Sequence, residues 1–356
     1  MRERTLRGCT LAGTGSKVPE RILTNADLER MVDTSDEWIV TRTGIRERRI
    51  SEPGQAVTDL ALPAAQAALE MAGVSALDVD KIIVATVTPD RILPSASCTL
   101  QERLGATHAA AFDLNAACSG FVYGVSVGAG LIAAGTADTV LVIGAETLSK
   151  IVDYEDRATC VLFGDGAGAA VLRPCDPGHG ILSARLRSDG TQGHVLEIPA
   201  GGSRLPASHE TVDAHGHYIK MKGNELFKFS VRAMETVTRQ AVEEAGVPFD
   251  KLRYLVPHQA NLRIIQAVAD RLGIGPDRLV LNIDRFGNTS AASIPISLDE
   301  LLRSGRVMPG DVIGLVAFGG GVTWGAVVLE WDPARAHPVA ASRVTQAASI
   351  AAGNGA

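Results

Sequence analysis

Apolar positions along this chain recur with two periods, and the switches between them divide it into a repeated series of strands and helices. Residues 5–18 read as a strand running into the turn Gly13-Thr-Gly-Ser16, and a polar stretch from Thr24 to Arg49 follows, with Asn25 as expected cap of a helix over 26–32. From Asp59 the pattern is regular: helix 59–72, strand 81–87, helix 95–104, a buried strand within 108–114, and a helix over 121–134 stopped at Gly135. Strands follow at 139–144 and 163–172, with Tyr154-Glu-Asp-Arg157 in the loop between them. Residues 173–222 read as loop-rich, with His209, His215 and His217. A second series then runs through helix 225–245, strand 252–257, helix 261–272, strand 279–283, helix 291–304, strand 311–317 and a closing strand over 323–331.

The second series repeats the first. Ala72-Gly-Val74 is echoed by Ala245-Gly-Val247, and Cys118 to Gly135 has the same spacing as Asn288 to Gly305, which pairs Asn288 with Cys118. Two βα repeats in the same order predict an α/β fold of two similar halves related by a pseudo-twofold axis, 1–175 and 176–332. The remainder, 333–356, is rich in Ala and Ser without periodicity and is expected to be a disordered tail.

Composition narrows the class. The 356 residues are 46% apolar and 21% charged, with a formal net charge of −6. There is no Lys/Arg block, so a nucleic-acid binder is not expected. No apolar run reaches membrane-spanning length, and the N-terminus lacks a signal-peptide core. Five cysteines, odd in number and without paired metal spacing, read as reduced thiols of a cytoplasmic protein. The Gly13 turn lacks the third glycine of a dinucleotide fingerprint and the Lys of a P-loop. His215 and His217 beside Asp213 have no second ligand cluster at helix spacing, so the expectation is a solvated loop and no metal.

Cys118 carries the candidate chemistry. It falls at a strand-to-helix junction, where free N–H groups and the helix dipole favour a thiolate and can hold an oxyanion. Position alone leaves open a small buried filler. In α/β sheets functional groups collect beyond the C-terminal strand ends, and that rule adds His258, Asn288 and the glycines of Phe318-Gly-Gly-Gly321. Cys, His and Asn together support acyl transfer through a thioester. Trp38 and Arg42 share a helix face, as either a stacking platform or core packing.

Several longer motifs then resemble one family, β-ketoacyl-acyl carrier protein synthase III of the thiolase superfamily. They are Asp36-Glu-Trp38-Ile-Val-Thr-Arg42-Thr-Gly-Ile-Arg46, Ala-Ala-Cys118-Ser-Gly, Phe163-Gly-Asp-Gly-Ala-Gly-Ala-Ala, Val256-Pro-His258-Gln-Ala-Asn261-Leu-Arg263, Gly287-Asn288-Thr-Ser-Ala-Ala-Ser293 and Ala317-Phe-Gly-Gly-Gly321. The resemblance implies a five-layered αβαβα homodimer that initiates fatty acid or polyketide synthesis by a ping-pong decarboxylative Claisen condensation. Acyl-CoA and malonyl-acyl carrier protein would be its substrates, with no permanently bound cofactor. It implies Cys118 as acyl acceptor, with His258 and Asn288 stabilising the enolate. Gly320 would complete the oxyanion hole, and Phe318 would press on the malonyl carboxylate. By the same match Trp38 and Arg157 would sandwich the CoA adenine near Thr34 and Arg42, Asn261 and Gly223 would line the pantetheine channel, and Lys228 and Arg263 would meet the carrier protein. Leu93, in Arg91-Ile-Leu93-Pro-Ser, stands where the best-known members carry Phe, which points to a branched or longer starter. Two other readings stay open: acyltransfer to a hydroxyl or amine without condensation, and a non-catalytic partner subunit.

Overall fold

The structure, a computed structural model, describes residues 6–339. The first half starts with β1 (Gly8–Lys17) and an excursion in which β2 (Ile22–Thr24) pairs with β3 (Glu47–Arg49) around α1 (Asn25–Glu29) and α2 (Asp36–Thr43). It continues through α3 (Val57–Ala72), β4 (Lys81–Ala85), α4 (Ala96–Leu104), β5 (Ala110–Leu114), α5 (Gly120–Ala133), β6 (Val140–Thr147), α6 (Arg157–Cys160) and β7 (Asp165–Cys175). The second half runs β8 (Ile181–Ser188), β9 (Leu196–Glu197), α7 (His209–Asp213), β10 (Lys220–Met221), α8 (Gly223–Glu244), β11 (Leu252–Pro257), α9 (Leu262–Leu272), α10 (Ile283–Phe286), α11 (Ser293–Arg303), β12 (Asp311–Gly319) and β13 (Thr323–Trp331).

Two sheets share one plan. The first has order β1-β7-β6-β4-β5, with β4 parallel to β5 and β6, and β7 antiparallel to β6 and β1. The second has order β11-β12-β13-β8 with the same sequence of directions. Alternation along the strands loads both faces. Ile82 and Val84 of β4 meet Leu60, Ala64 and Leu100 of α3 and α4, while Ile83 and Val142 turn inward. There α5 (Phe121, Val122, Val125) and α11 (Ile294, Leu298) are sandwiched against Val256, Leu315 and Val327 of the other sheet. Outside the second sheet, Met234 and Val237 of α8 and Val268 and Leu272 of α9 complete the fifth layer.

Several sequence expectations change. Thr24, not Asn25, caps α1: its Oγ1 accepts the Asp27 N–H at 3.1 Å and Asp27 returns the bond. Asn25 is buried instead, accepting from Arg48 and donating to Ile45 O. The strand expected as buried before Cys118, β5, is an edge strand paired with β4 alone, and Phe112 is 39% exposed. Residues 279–283 do not form a ladder; Leu279 makes a single parallel bridge to Leu255. The Gln259 side chain takes over, donating to Val280 O at 3.2 Å and accepting the Asn282 and Ile283 N–H groups at 3.1 and 3.2 Å. The stretch expected as loop contains β8, the counterpart of β1. Of the expected disordered tail, 333–339 packs on the first half, with Arg173 donating to His337 O at 2.9 Å; residues 340–356 lie outside the described residues.

The repeat itself needs re-registering. Ala117 (φ +45°) and Ser290 (φ +48°) each open a 3-10 turn, Ala117–Ser119 and Ser290–Ala292, that runs into α5 and α11. The structural counterpart of Cys118 is therefore Ala291, and that of Asn288 is Asn115. Equal spacing to the terminal glycines misled because α5 has 14 residues and α11 has 11.

Gly144 lets the Ser290 turn sit directly on β6, since a Cβ there would meet Ala291 O at 2.1 Å. Gly144→Ala is expected to lower unfolding free energy by about 1–3 kcal/mol in urea titrations. An unchanged midpoint would show that the turn can back away from the sheet.

Candidate active site

The Cys118 turn is clamped from both halves. Asn115 Oδ1 accepts the Ala117 N–H at 3.3 Å, and Thr323 Oγ1 donates to Ala116 O at 2.8 Å while Ser119 Oγ donates to Thr323 O at 3.0 Å. At Gly319, a Cβ would lie 2.6 Å from the Cys118 nitrogen, so glycine is what allows β12 to close on Cys118. Ser290 and Gly320 line the same cavity as Cys118, and hydrogen bonding from the Ser290 hydroxyl and from the Cys118 and Gly320 N–H groups favours the thiolate.

The resting thiol is nonetheless hard to ionise. Burial pushes it up to about 11, with the Glu146 charge adding to the effect, against the hydrogen bonds from Ser290 and the two N–H groups. This corrects the expectation of a lowered value from the helix N-terminus: here desolvation outweighs the favourable end of α5.

His258 follows β11, held by its N–H to Val316 O at 2.8 Å. Burial pushes its imidazole down to about 3, so it is neutral. Its Nδ1 lies 2.7 Å from Ser293 Oγ, which also accepts the Gln259 N–H at 3.3 Å. Among the described residues, Nδ1 is the acceptor left for the Ser293 hydroxyl hydrogen. That assignment puts the imidazole hydrogen on Nε2. Asn288 is oriented by the same logic. Its backbone pairs with Leu162 and Gly164 at 2.9 and 3.0 Å, and its Oδ1 accepts the Ser290 N–H at 2.9 Å, leaving the Nδ2 donors for the cavity.

Cys118 sits where two cavities meet. One, of about 130 Å³, is lined by His258, Asn288, Phe318, Asn261, Gly223 and Phe227 among others. The other, of about 320 Å³, is bounded by Val87, Leu148, Ile151, Ile198 and Ile219, with Gly320 and Ser290 at its inner end. Both are chiefly apolar; the first holds His258, Asn288 and Asn261, the second Asn115, Ser290 and Glu197. Phe318 is wedged by Phe229 and Trp324, with ring centroids at 5.7 and 6.5 Å.

The outer candidates fall around the first cavity. Asn261 caps α9 and donates to Arg42 O at 3.0 Å, tying α9 to α2. Arg263 is exposed over the Phe227 ring at 5.7 Å, and Lys228 is exposed on α8. Trp38 carries Arg42 and Arg157 guanidinium groups at 5.2 and 5.0 Å from its ring centre. A flat ring between Trp38 and Arg157 requires roughly 7 Å, twice a carbon contact distance, so Arg157 must first swing off. Thr34 Oγ1 is shut from solvent without a partner among the described residues. Leu93 is not brought to Cys118 within the chain; it is 85% exposed, beside Ile92 at 89%. The expected solvated histidines are instead engaged: His215 Nδ1 is 2.8 Å from Asp153 Oδ2, and His217 Nε2 is 3.0 Å from Thr211 Oγ1.

Sequence reasoning missed Ser290, Ser293, Gln259 and Glu146. Glu146 alone had a visible signal, a single carboxylate continuing the apolar strand 139–144 at its C-terminal end.

Comparison with known proteins places the chain. Residues 112–190 match the family model 3-Oxoacyl-[acyl-carrier-protein (ACP)] synthase III, and residues 242–331 match the C-terminal model of the same family. A β-ketoacyl-[acyl-carrier-protein] synthase III of Symbiobacterium thermophilum is 56% identical over 92% of this chain and 99% of its own. The crystal structure of the Aquifex aeolicus 3-oxoacyl-[acyl-carrier-protein] synthase III superposes with TM-score 0.84 at 48% identity, covering 91% of this chain and all of that one. The priming β-ketosynthase of a polyketide pathway gives TM-score 0.86 at 36% identity, covering 94% and 99%.

The buried pair His258 and Glu146 sets opposite pH dependences. Below its ordinary value of 6.5, His258 binds a proton in the unfolded chain that the folded protein refuses down to about 3, so its contribution to stability is lost as pH falls. Glu146, raised by burial from 4.5 to about 7, keeps a proton on folding that the unfolded chain releases, so its contribution is lost as pH rises. Between pH 7 and 5, His258→Asn should gain about 2 kcal/mol relative to the wild type, and Glu146→Gln should lose a similar amount. Urea unfolding at both pH values measures this, and equal pH slopes in all three proteins would overturn the assigned protonation states.

Proposed function

The chain belongs to the β-ketoacyl-[acyl-carrier-protein] synthase III family of condensing acyltransferases, and on that premise we propose how its own residues carry the reaction. The observation that carries the reading is the convergence of Cys118, His258 and Asn288 on one narrow cavity.

Cys118 Sγ attacks the thioester carbonyl of an acyl-CoA, and the N–H groups of Cys118 and Gly320 hold the oxyanion. CoA leaves, and malonyl-acyl carrier protein enters by the same channel past Gly223 and Asn261. His258 Nε2–H and Asn288 Nδ2 donate to the malonyl thioester carbonyl, stabilising the enolate that forms as carbon dioxide departs. A neutral imidazole suits this work: it donates without offering a positive charge that would retain the carboxylate. Phe318, locked by Phe229 and Trp324, presents an apolar face that favours loss of that carboxylate. The enolate carbon then attacks the acyl-enzyme and releases the 3-ketoacyl product.

Trp38, Arg157, Arg42 and Thr34 hold the CoA nucleotide once Arg157 moves, and the unpaired Thr34 hydroxyl supports a ligand there. Lys228 and Arg263 flank the mouth and attract an acidic carrier protein. The β5 edge with exposed Phe112 supports a homodimer, whose proposed location is the cytoplasm. Asp113 of β5 caps α4 through the Ala96 and Ser97 N–H groups, which keeps the exposed Ile92 and Leu93 loop beside that edge. The starter chain occupies the apolar cavity of about 320 Å³, room for a branched or longer group than acetyl.

Intact mass after incubation with acyl-CoAs, followed by carbon dioxide release on adding malonyl-acyl carrier protein, tests the assignment. Cys118→Ala abolishes the adduct; an adduct on another residue sinks the nucleophile. Asn288→Ala forms the adduct normally but slows decarboxylation by about 10²–10³-fold, and equal loss of both steps would contradict its role. Leu93→Phe shifts preference to short starters; an unchanged profile would remove Leu93 from the pocket. A stable adduct without carbon dioxide release would favour acyltransfer to another acceptor.

A further inference from the structure

Glu146 is the next-to-last residue of β6 and is fully buried, at 0% exposure. Thr88 Oγ1 lies 2.7 Å from its Oε2, with the Val87 N–H at 3.1 Å and Thr86 Oγ1 at 3.2 Å; Ser290 Oγ is 3.2 Å from Oε1. None of these partners is a cation. As a structural bracket alone this is a costly choice, because a buried carboxylate without a countercharge is disfavoured. The partners suit a group that changes protonation: the Val87 N–H can only donate, whereas the three hydroxyls can donate to a carboxylate or accept from a carboxylic acid. One of those hydroxyls belongs to Ser290, which lines the same cavity as Cys118.

The surroundings isolate this path. From the end of β4 Glu146 meets neutral groups, and beyond Ser290 it meets the Cys118 thiol. On neighbouring β7, Asp165 stands opposite Thr147 but turns to Ser51 and Ser149. Of the other titratable groups lining the two cavities, His258 is engaged at Nδ1 by Ser293, and Glu197 lies exposed on β9.

We propose that Glu146, through the Ser290 hydroxyl, takes the Cys118 thiol proton during acylation and returns it when the condensation ends. In the first half-reaction the S–H bond breaks as the Sγ–acyl bond forms; Ser290 takes the thiol proton and passes its own to Glu146. CoA departs as a thiolate and takes a proton from water. In the second, the enolate displaces Cys118 as a thiolate, and Glu146 returns a proton through Ser290 to regenerate the thiol. Summed, the two halves consume one solvent proton and release CoA, carbon dioxide and the 3-ketoacyl product. Burial holds Glu146 near 7, so it is a competent acceptor at neutral pH where the imidazole is not.

The inference rests on Cys118 as nucleophile, and the test separates the two. The rate of adduct formation with butyryl-CoA is read by intact mass from pH 5.5 to 9, beside carbon dioxide release from malonyl-acyl carrier protein alone. In the wild type the acylation rate climbs through pH 7. Glu146→Gln removes that limb and slows acylation by about 10²-fold or more, with decarboxylation retained. Ser290→Ala gives the same loss with the carboxyl in place, and carries the test if Glu146→Gln does not fold. Acylation with the wild-type rate and pH limb in either folded variant overturns the relay, as does equal loss of both half-reactions. A wild type that forms no adduct overturns the acyl-enzyme reading instead.

Discussion

The contact between the end of β12 and the Cys118 turn is the constraint on which the site depends. With hydrogen in place of a side chain at Gly319, one half of the molecule closes onto Cys118 of the other. That closure brings Gly319 and Gly320 to the two cavities that meet at Cys118. The pair of bonds between Thr323 and the 116–119 turn holds it shut. Helices α5 and α11 supply the rest of the interface, so packing and catalytic alignment are the same contact seen at different depths.

Burial then decides the protonation state of each group. It raises the Cys118 thiol, lowers the His258 imidazole and raises the Glu146 carboxyl, in each case favouring the neutral form. A resting site of neutral groups suits chemistry in which negative charge develops successively on an oxyanion, an enolate and a thiolate. Fixed N–H and amide donors meet that charge without reorganising water. The helix N-terminus at Cys118 contributes to this field but does not by itself produce a resting thiolate.

Much of the architecture was legible because the repeat is long and periodic. Strands β4, β6, β11 and β12 announce themselves as apolar runs ended by glycine or polar residues, and two of the family motifs fall at the C-terminal ends of β11 and β12. Misreadings occurred where a side chain does the work of a backbone ladder. Gln259 replaces the fifth strand of the second sheet, and a three-residue difference in helix length disguised Ala291 as the counterpart of Cys118. Neither leaves a periodic trace, since each depends on residues distant in the chain.

The sequence by itself determined most of the order of elements and the family, and singled out Cys118, His258 and Asn288 as candidates, because these follow from local periodicity and contiguous motifs. Tertiary structure alone decided how those groups are tuned. Ser293 sets the imidazole tautomer, Ser290 orients Asn288 and hydrogen-bonds Glu146, and Arg157 closes over Trp38. Protonation and orientation depend on desolvation and on partners that folding brings together from distant positions, and no spacing along the chain encodes them.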